Sequence, residues 1–208
     1  MIPSRHIAAE LRSLQNENRR CTICADERLI PEANPTFEGN AQARLILIGQ
    51  APGPVERHTR RPFSGRAGRE LSRWMLRAGF ESEVSFRSTV YIASMARCFP
   101  GRNPSGSGDL RPSARCVANC SRWLESELKL LQPAAIIAVG QMAITRFLGP
   151  GSLEERVGRI FPGQPPVVPL PHPSGQSRWL NEATNRDRLG AALEIISAMR
   201  EECSKRSC

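Results

Sequence analysis

The sequence is poor in lysine and aromatic residues and has no long apolar run. Only Lys129 and Lys205 are lysines, although Lys and Arg together number 29 of the 208 residues. No apolar stretch approaches the roughly 18–20 residues that a membrane-spanning helix needs. Residues 1–20 also lack the apolar core of a secretory signal. We therefore expect a cytoplasmic protein without a membrane partner.

The basic residues are almost all arginine and outnumber the 20 acidic residues, which gives a net charge of +9. The planar guanidinium group binds phosphate through two parallel hydrogen bonds. An arginine-rich, basic domain therefore favours a polyanionic partner, most often nucleic acid. A genome rich in G and C would enrich arginine in the same way, so the charge alone leaves the partner open.

The length fits one compact domain, and apolar patterns alternate along it between strand and helix types. Four short apolar runs read as strands, at residues 43–49, 90–95, 134–140 and 167–171. Helical spacing covers residues 1–20, 65–79, 114–132 and 182–201. This alternation predicts a three-layer α/β/α sandwich with a central, mainly parallel, four-stranded sheet. We expect a single domain over residues 1–202 and a disordered tail at 203–208.

Cysteine, in contrast, is abundant. The seven cysteines lie at positions 21, 24, 98, 116, 120, 203 and 208. Thiols in the cytosol normally stay reduced, and an odd number argues against a disulfide framework. Ligation of a metal or cluster explains them better. Four thiolates suit a structural zinc ion or an iron–sulfur cluster equally well.

Polar, turn-forming segments follow three of the predicted strands. They are "GQAPG" (49–53), "SMARC" (94–98) and "HPSG" (172–175). In a parallel sheet these segments meet at the carboxyl edge, where such folds bind ligands. The first segment lacks the Gly-Lys-Ser/Thr of a phosphate-binding loop, and its prolines break the spacing of a dinucleotide fingerprint. Those two nucleotide-binding motifs are therefore excluded.

A longer pattern resembles a known family. "GQAPG" is followed by seven residues and then by "RPFSGRAG" (61–68), with "HPSG" after the last predicted strand. The chain thus resembles the uracil-DNA glycosylase superfamily, most closely its iron–sulfur-containing family 4, whose first motif reads roughly Gly-Glu-Ala-Pro-Gly, seven residues, Arg-Pro-Phe-x-Gly-Arg-Ala-Gly. The resemblance implies a DNA-repair enzyme that flips a base out of DNA and hydrolyses its N-glycosidic bond. No lysine is placed as a Schiff-base nucleophile, so we expect a monofunctional enzyme that does not cleave the strand.

The resemblance also assigns the cysteines. Family 4 binds a 4Fe–4S cluster, and its pattern implies Cys21, Cys24, Cys98 and Cys120 as the four ligands. Cys116 stays open as an alternative fourth ligand, and structural zinc stays open as an alternative to the cluster.

The expected catalytic groups come from both motifs. The departing base carries negative charge on its O2, so a fixed donor at that oxygen is needed. We expect His172 to be this donor, with help from the backbone amides around Gln50 and Ala51. Phe63 should stack on the flipped base. Either Glu56 or Gln50 should orient the attacking water, although Gln50 replaces the family's glutamate and cannot take a proton.

Two departures from the family concern which base is read. Ser94 stands where family 4 usually has asparagine, whose amide matches the edge of uracil. Gly53 stands where strict uracil enzymes have a tyrosine that excludes the methyl group of thymine. Both changes predict broader recognition, so we expect hypoxanthine or xanthine as substrates beside uracil.

The segment after His172, "SGQSRWLN" (174–181), should contact the DNA. Ser174 is expected among the substrate-binding residues. Arg178 is the preferred residue to fill the gap left by the flipped base or to bind phosphate, whereas Trp179 and Leu180 are alternatives. Trp179 would also fit an inward-packed position.

The sequence leaves two alternatives to a glycosylase that acts as a monomer. One is a DNA-binding iron–sulfur protein of the same fold with little or no activity, favoured by the loss of the family's Glu and Asn. The other is a covalent uracil trap. A relative of that kind carries a basic, histidine-containing loop after "RAG", but here "RAGRELSRW" runs directly into a predicted helix.

Overall fold

A computed structural model describes residues 5–106, 108–174 and 178–205. It contains one sheet, whose four strands are β1 (Leu45–Gly49), β2 (Val90–Ser94), β3 (Ala135–Val139) and β4 (Val167–Leu170). Neighbouring strands are parallel in the order β2-β1-β3-β4. Every strand residue is buried, as expected when helices cover both faces of a parallel sheet. The predicted four-stranded sheet is confirmed.

Helices connect these strands within the described ranges. They are α1 (Arg5–Arg19), α2 (Ile23–Asp26), α3 (Pro54–Thr59), α4 (Arg66–Arg77), α5 (Glu83–Thr89), α6 (Ala114–Leu131), α7 (Gln141–Leu148), α8 (Leu153–Arg156) and α9 (Ala183–Lys205). A short 3₁₀ helix, Arg178–Asn181, precedes α9. None of the described helices is long and apolar enough to cross a membrane.

Side-chain alternation along the strands produces two cores. Leu45 and Leu47 of β1 point to one face, where they pack with residues of α4, α5 and α9. Ile46 and Ile48 point to the other face, where α1, α6 and α7 cover them. Because successive strand residues face opposite sides, the apolar runs supply both cores at once. The three-layer α/β/α sandwich is therefore confirmed.

The structure adds short helices that the sequence pattern did not predict, and two of them, α3 and α5, lie close to the first motif. Helix α3 begins after Gly53 with Pro54 in its first turn, a position where proline costs no hydrogen bond. Helix α5 begins at the cap Ser82, whose hydroxyl accepts from the amide of Ser85 at 3.0 Å. Both helices are only two turns or less, too short to show an apolar period.

The chain's last helix is longer than expected. α9 continues to Lys205, so residues 203–205 lie in this helix, and the expected domain boundary at residue 202 stays a prediction. The other residues of the expected tail, 206–208, lie outside the described residues.

Candidate active site and cysteine pocket

Phe63 and Ser94 meet above the end of β1. Gly49 and Ser94 are register partners at the carboxyl ends of β1 and β2. A Cβ built on Gly49 would lie 2.9 Å from the ring of Phe63 and 3.6 Å from Ser94 Oγ. Only glycine leaves room for the ring there. Ala93 packs in the core on the opposite face, so Ser94 is the β2 residue that faces Phe63.

The backbone of Phe63 is held by a residue that sequence reasoning missed. Phe63 has a left-handed φ of 49°. The buried guanidinium of Arg87 donates to the carbonyl of Pro62 at 3.0 Å and to that of Phe63 at 2.8 Å. Arg87 also forms ion pairs with Glu38 at 2.6 Å and Glu83 at 2.8 Å. Arg87 thus fixes the turn that presents the ring.

Gly68 explains the end of the "RPFSGRAG" pattern. The carbonyl of Phe63 lies directly over the first turn of α4, and a Cβ on Gly68 would overlap it. Residue 68 must therefore be glycine because the backbone of Phe63 approaches it closely. Glycine does not favour the helix, since it has a low helix propensity. The spacing between Phe63 and Gly68 is set by this contact.

Glu56 joins the two halves of the first motif (residues 49–68), which are "GQAPG" (49–53) and "RPFSGRAG" (61–68). Its carboxylate is buried. One oxygen, Oε2, accepts from the amide of Gly53 at 3.1 Å, and the other, Oε1, accepts from the amide of Gly65 at 2.8 Å. These amides begin α3 and α4, where backbone donors lack helical partners. Both oxygens of Glu56 thus accept from the backbone, and the expected orientation of water by Glu56 stays a prediction.

The space beside Gly53 is bordered by carboxylates. A Cβ built on Gly53 would lie 2.8 Å from Glu56 Oε2 and 3.7 Å from Asp109 Oδ2. Asp109 lies in the long loop after β2, where Leu110 donates its amide to Gly101 at 2.9 Å. Nothing in the irregular sequence of that loop indicated that Asp109 reaches the first motif. The position that a larger side chain would fill is therefore an acidic recess.

His172 follows β4 and packs beside the end of β3. A Cβ on Gly140 would lie 3.4 Å from the His172 ring, so this glycine admits the imidazole. Burial lowers the pKa of His172, which keeps the ring neutral at pH 7 with one N–H donor. Ser174 is half-buried. Residues 175–177 of this motif lie outside the described residues.

Gln50 and Ala51 form the bend between β1 and α3. The carbonyl of Gln50 accepts from the amide of Ala96 at 3.0 Å, which ties the bend to the segment after β2. Within the described residues, neither the Gln50 side chain nor the Ala51 amide has a hydrogen-bond partner. Both groups are therefore available to a ligand.

The three alternatives in the 3₁₀ helix have different surroundings. The indole of Trp179 donates to Glu154 at 2.6 Å, and Trp179 and Leu180 pack against the core. Arg178 is exposed. Of the three, Arg178 is the one presented to solvent.

Four cysteines border one small cavity, which we call the cysteine pocket. They are the predicted ligands Cys21, Cys24, Cys98 and Cys120. They come from the turn before α2, from α2 itself, from the segment after β2 and from α6. Cys116 lies one turn earlier on α6 and packs with Cys24 and Ile30 but does not border the cavity.

The sulfur atoms of the pocket already accept N–H groups. The contacts are Asn34 N to Cys98 at 3.4 Å, Arg97 N to Cys120 at 3.5 Å and Asn119 Nδ2 to Cys24 at 3.6 Å. Burial raises the pKa of Cys24 and Cys98 to about 12 and also raises the pKa of Cys120. Without a bound cation these thiols stay protonated. In the described ranges, no three His, Cys, Asp or Glu side chains converge closely enough to hold a single metal ion.

Known proteins match the same segments. The family model for the Uracil DNA glycosylase superfamily matches residues 36–195. The type-4 uracil-DNA glycosylase of Thermotoga maritima is 29% identical over 171 residues, 79% of this chain and 82% of that protein. The type-4 uracil-DNA glycosylase of Pyrobaculum aerophilum is 29% identical over 131 residues, which are 63% of this chain and 61% of that protein.

A type-5 uracil-DNA glycosylase of Pyrobaculum aerophilum is 30% identical over 136 residues, 59% of this chain and 57% of that protein. The family match extends over more than half of the chain and contains both the first motif and His172. The chain therefore belongs to the uracil-DNA glycosylase superfamily.

Proposed function

We propose that this protein is a monofunctional DNA glycosylase that hydrolyses the N-glycosidic bond of uracil in DNA. The observation that carries the proposal is the placement of Phe63, Ser94 and His172 at one edge of the sheet, in a chain of this superfamily. The names of the relatives, uracil-DNA glycosylases of types 4 and 5, support it.

Each of these residues has a distinct part in the reaction. The target base leaves the stack and lies on the ring of Phe63, while the hydroxyl of Ser94 bonds its edge. As the bond to deoxyribose breaks, negative charge develops on O2 of the base. His172, neutral because burial lowers its pKa, donates its N–H there, and preorganised donors of this kind supply much of the rate enhancement. The free amide of Ala51 adds a second donor.

The attacking water is positioned by Gln50 in this proposal. Its amide can hold the water but cannot accept a proton, so the proton that the water loses on attacking the sugar passes to the departing base anion. Glu56 instead acts as a positioning residue, since it fixes both helix starts of the first motif. The short hydroxyl of Ser94 and the lack of a side chain at Gly53 extend the proposed substrates to hypoxanthine and xanthine.

Exposed arginines supply the contacts to DNA. Arg66 and Arg69 lie at the start of α4, next to the turn of Phe63, and neither has an acidic partner among the described residues. Arg178 lies after the His172 motif. Together they can neutralise phosphates around the flipped base, so we expect affinity to fall steeply with salt. The monomeric state stays a prediction.

We propose a 4Fe–4S cluster as the cofactor, bound by Cys21, Cys24, Cys98 and Cys120. The donor set fits, because all four border one cavity that also contains unpaired buried N–H groups. A structural zinc ion, which would need all four sulfurs about 2.3 Å from one point, stays the alternative. When bound, the cluster supplies a cross-link between α2, the segment after β2 and α6.

An excision assay with a matched pair of variants tests the proposed function. Duplex and single-stranded oligonucleotides with one uracil are incubated with protein purified without oxygen and then treated with alkali. The wild type should give strand breaks only after alkali. His172→Ala should slow excision by about 10²–10³ with unchanged DNA affinity, whereas the exposed His58→Ala should match the wild type.

The same assay separates the alternatives. DNA binding by wild type without alkali-labile sites would favour the non-catalytic DNA-binding protein. A covalent protein–DNA product would favour the uracil trap.

A further inference from the structure

A fully buried cation borders the cysteine pocket. The side chain of Arg97 is 1% exposed and lines the same cavity as the four cysteines. Its Nη2 donates to Glu127 Oε2 at 2.5 Å, and Glu127 also accepts from the hydroxyl of Tyr91 at 2.8 Å. The hydrogen bonds of the Arg97–Glu127 pair thus lie on the side that faces α6 and β2.

The other side of Arg97 is unsatisfied. Its Nε and Nη1 are buried and have no hydrogen-bond partner among the described residues. The amide of Asn18 and the indole N–H of Trp123 share this condition, and both residues line the cavity. Asn18 is 0% exposed and Trp123 is 5% exposed.

Such groups are costly if nothing binds them. An unpaired buried donor costs about 1–3 kcal/mol, and more when charged, and the great majority of buried polar groups in native proteins are paired. Three residues that lack partners around one cavity therefore point to an acceptor-rich ligand in it. Sulfur ligands that carry negative charge match this requirement.

We infer that Arg97, Asn18 and Trp123 donate N–H bonds to the sulfur atoms of the group that the four cysteines hold, and that the Arg97–Glu127 pair sets its reduction potential. This inference rests on the proposed cluster. Hydrogen bonds to the sulfurs and local net charge are two levers on the potential of such clusters. The cation of Arg97 stabilises the more negative, reduced form, and Glu127 opposes it.

The two members of the pair predict shifts of opposite sign. Arg97→Gln removes the positive charge and should move the midpoint potential to a more negative value. Glu127→Gln leaves the cation uncompensated and should move it to a more positive value. Trp123→Phe removes one neutral donor and should give a smaller negative shift. Arg146→Gln, an exposed charge paired with Glu125, is the control and should leave the potential unchanged.

The experiment is a potentiometric titration of each holoprotein under anaerobic conditions, followed by electron paramagnetic resonance of the reduced cluster. An unchanged potential in Arg97→Gln, or a shift with the same sign as in Glu127→Gln, overturns the inference while the proposed glycosylase and its cluster stand. If Arg97→Gln does not fold, unchanged potentials in both Glu127→Gln and Trp123→Phe overturn it. A wild type that contains zinc or no metal overturns the cluster and this inference together, and excision activity is judged separately.

Discussion

The first motif and the cysteine pocket differ in whether their buried polar groups have hydrogen-bond partners. In the first motif, residues 49–68, both oxygens of Glu56 have partners within the chain. The guanidinium of Arg87, which contacts the motif from α5, is also paired. In the cysteine pocket, donors of Arg97, Asn18 and Trp123 lack partners among the described residues. The buried polar groups of the first region are thus paired within the chain, whereas those around the pocket are not.

This difference separates the sources of stability. The first motif is held in its binding geometry by its own hydrogen bonds, so a flipped base meets a site that already exists. The pocket gains its missing interactions only when a group is bound, and binding free energy of that kind is also folding free energy. Loss of the cofactor should therefore loosen the pocket more than the base site.

The largest effect is expected from Cys120→Ala. Removing a ligand that borders the cavity should abolish the brown colour and the iron content of the protein. Hydrogen exchange should then rise in α2 and the start of α6, while protection around β1 and α4 persists. Iron analysis and amide exchange by mass spectrometry measure both results.

Cys116→Ala is the matched control, one helical turn away and outside the cavity lining. It should keep iron and colour. Loss of iron in Cys116→Ala with retention in Cys120→Ala would show that the fourth ligand is Cys116.

A smaller, local effect is expected from Arg87→Met. The variant leaves the carbonyls of Pro62 and Phe63 unpaired and removes bonds to a charged donor, a loss of about 3 kcal/mol. The turn that holds Phe63 should loosen, so KM for uracil-containing DNA should rise more than kcat falls. Urea denaturation and steady-state kinetics measure the two changes.

Arg73→Met on the exposed face of α4 is the control for charge, and Arg87→Lys should recover part of the stability. A normal KM in a destabilised Arg87→Met would show that Arg87 does not position Phe63.

Glu56→Gln tests whether the carboxylate holds the motif or acts on the water. An amide keeps one acceptor but turns an N–H towards a backbone N–H, which should cost about 1–2 kcal/mol of stability. If Glu56 only positions the motif, kcat should fall a few-fold and its pH dependence should not change. A drop of about 10²–10⁴, the usual contribution of a general base, together with loss of a pH-dependent step, would return the catalytic role to Glu56. Glu32→Gln, an exposed partner of Arg57, controls for lost charge.

The sheet and the first motif were predictable because their signals are local. The apolar run at 45–49 has the composition of a buried strand, and "GQAPG" to "RPFSGRAG" is a continuous pattern. Contacts between distant residues carried no such signal. Arg87 of α5 contacts Phe63, which lies 24 residues earlier in the sequence. Arg97 contacts Glu127 of α6, which lies 30 residues later.

The role of Glu56 shows the same limit within the motif itself. The orientation of its oxygens depends on where α3 and α4 begin. Helix α3 has no apolar period, so the sequence did not indicate that two helix starts compete for this carboxylate.

The smallest effect is expected from Ser94→Asn, which changes base choice inside an intact first motif. Ser94 lies 3.6 Å from the Cβ position of Gly49, beside the ring of Phe63, so residue 94 should touch the edge of a stacked base. An asparagine there presents a paired donor and acceptor that match O4 and N3–H of uracil. A site that hydrogen-bonds a specific edge rejects bases that lack it. We expect the ratio of uracil to hypoxanthine excision to rise about tenfold, which corresponds to about 1.4 kcal/mol. Competition between the two substrates in one reaction measures the ratio directly.

Ser94→Ala controls for the lost hydroxyl and should lower both rates without raising the ratio. An unchanged ratio in Ser94→Asn, with both rates intact, would show that residue 94 does not read the base.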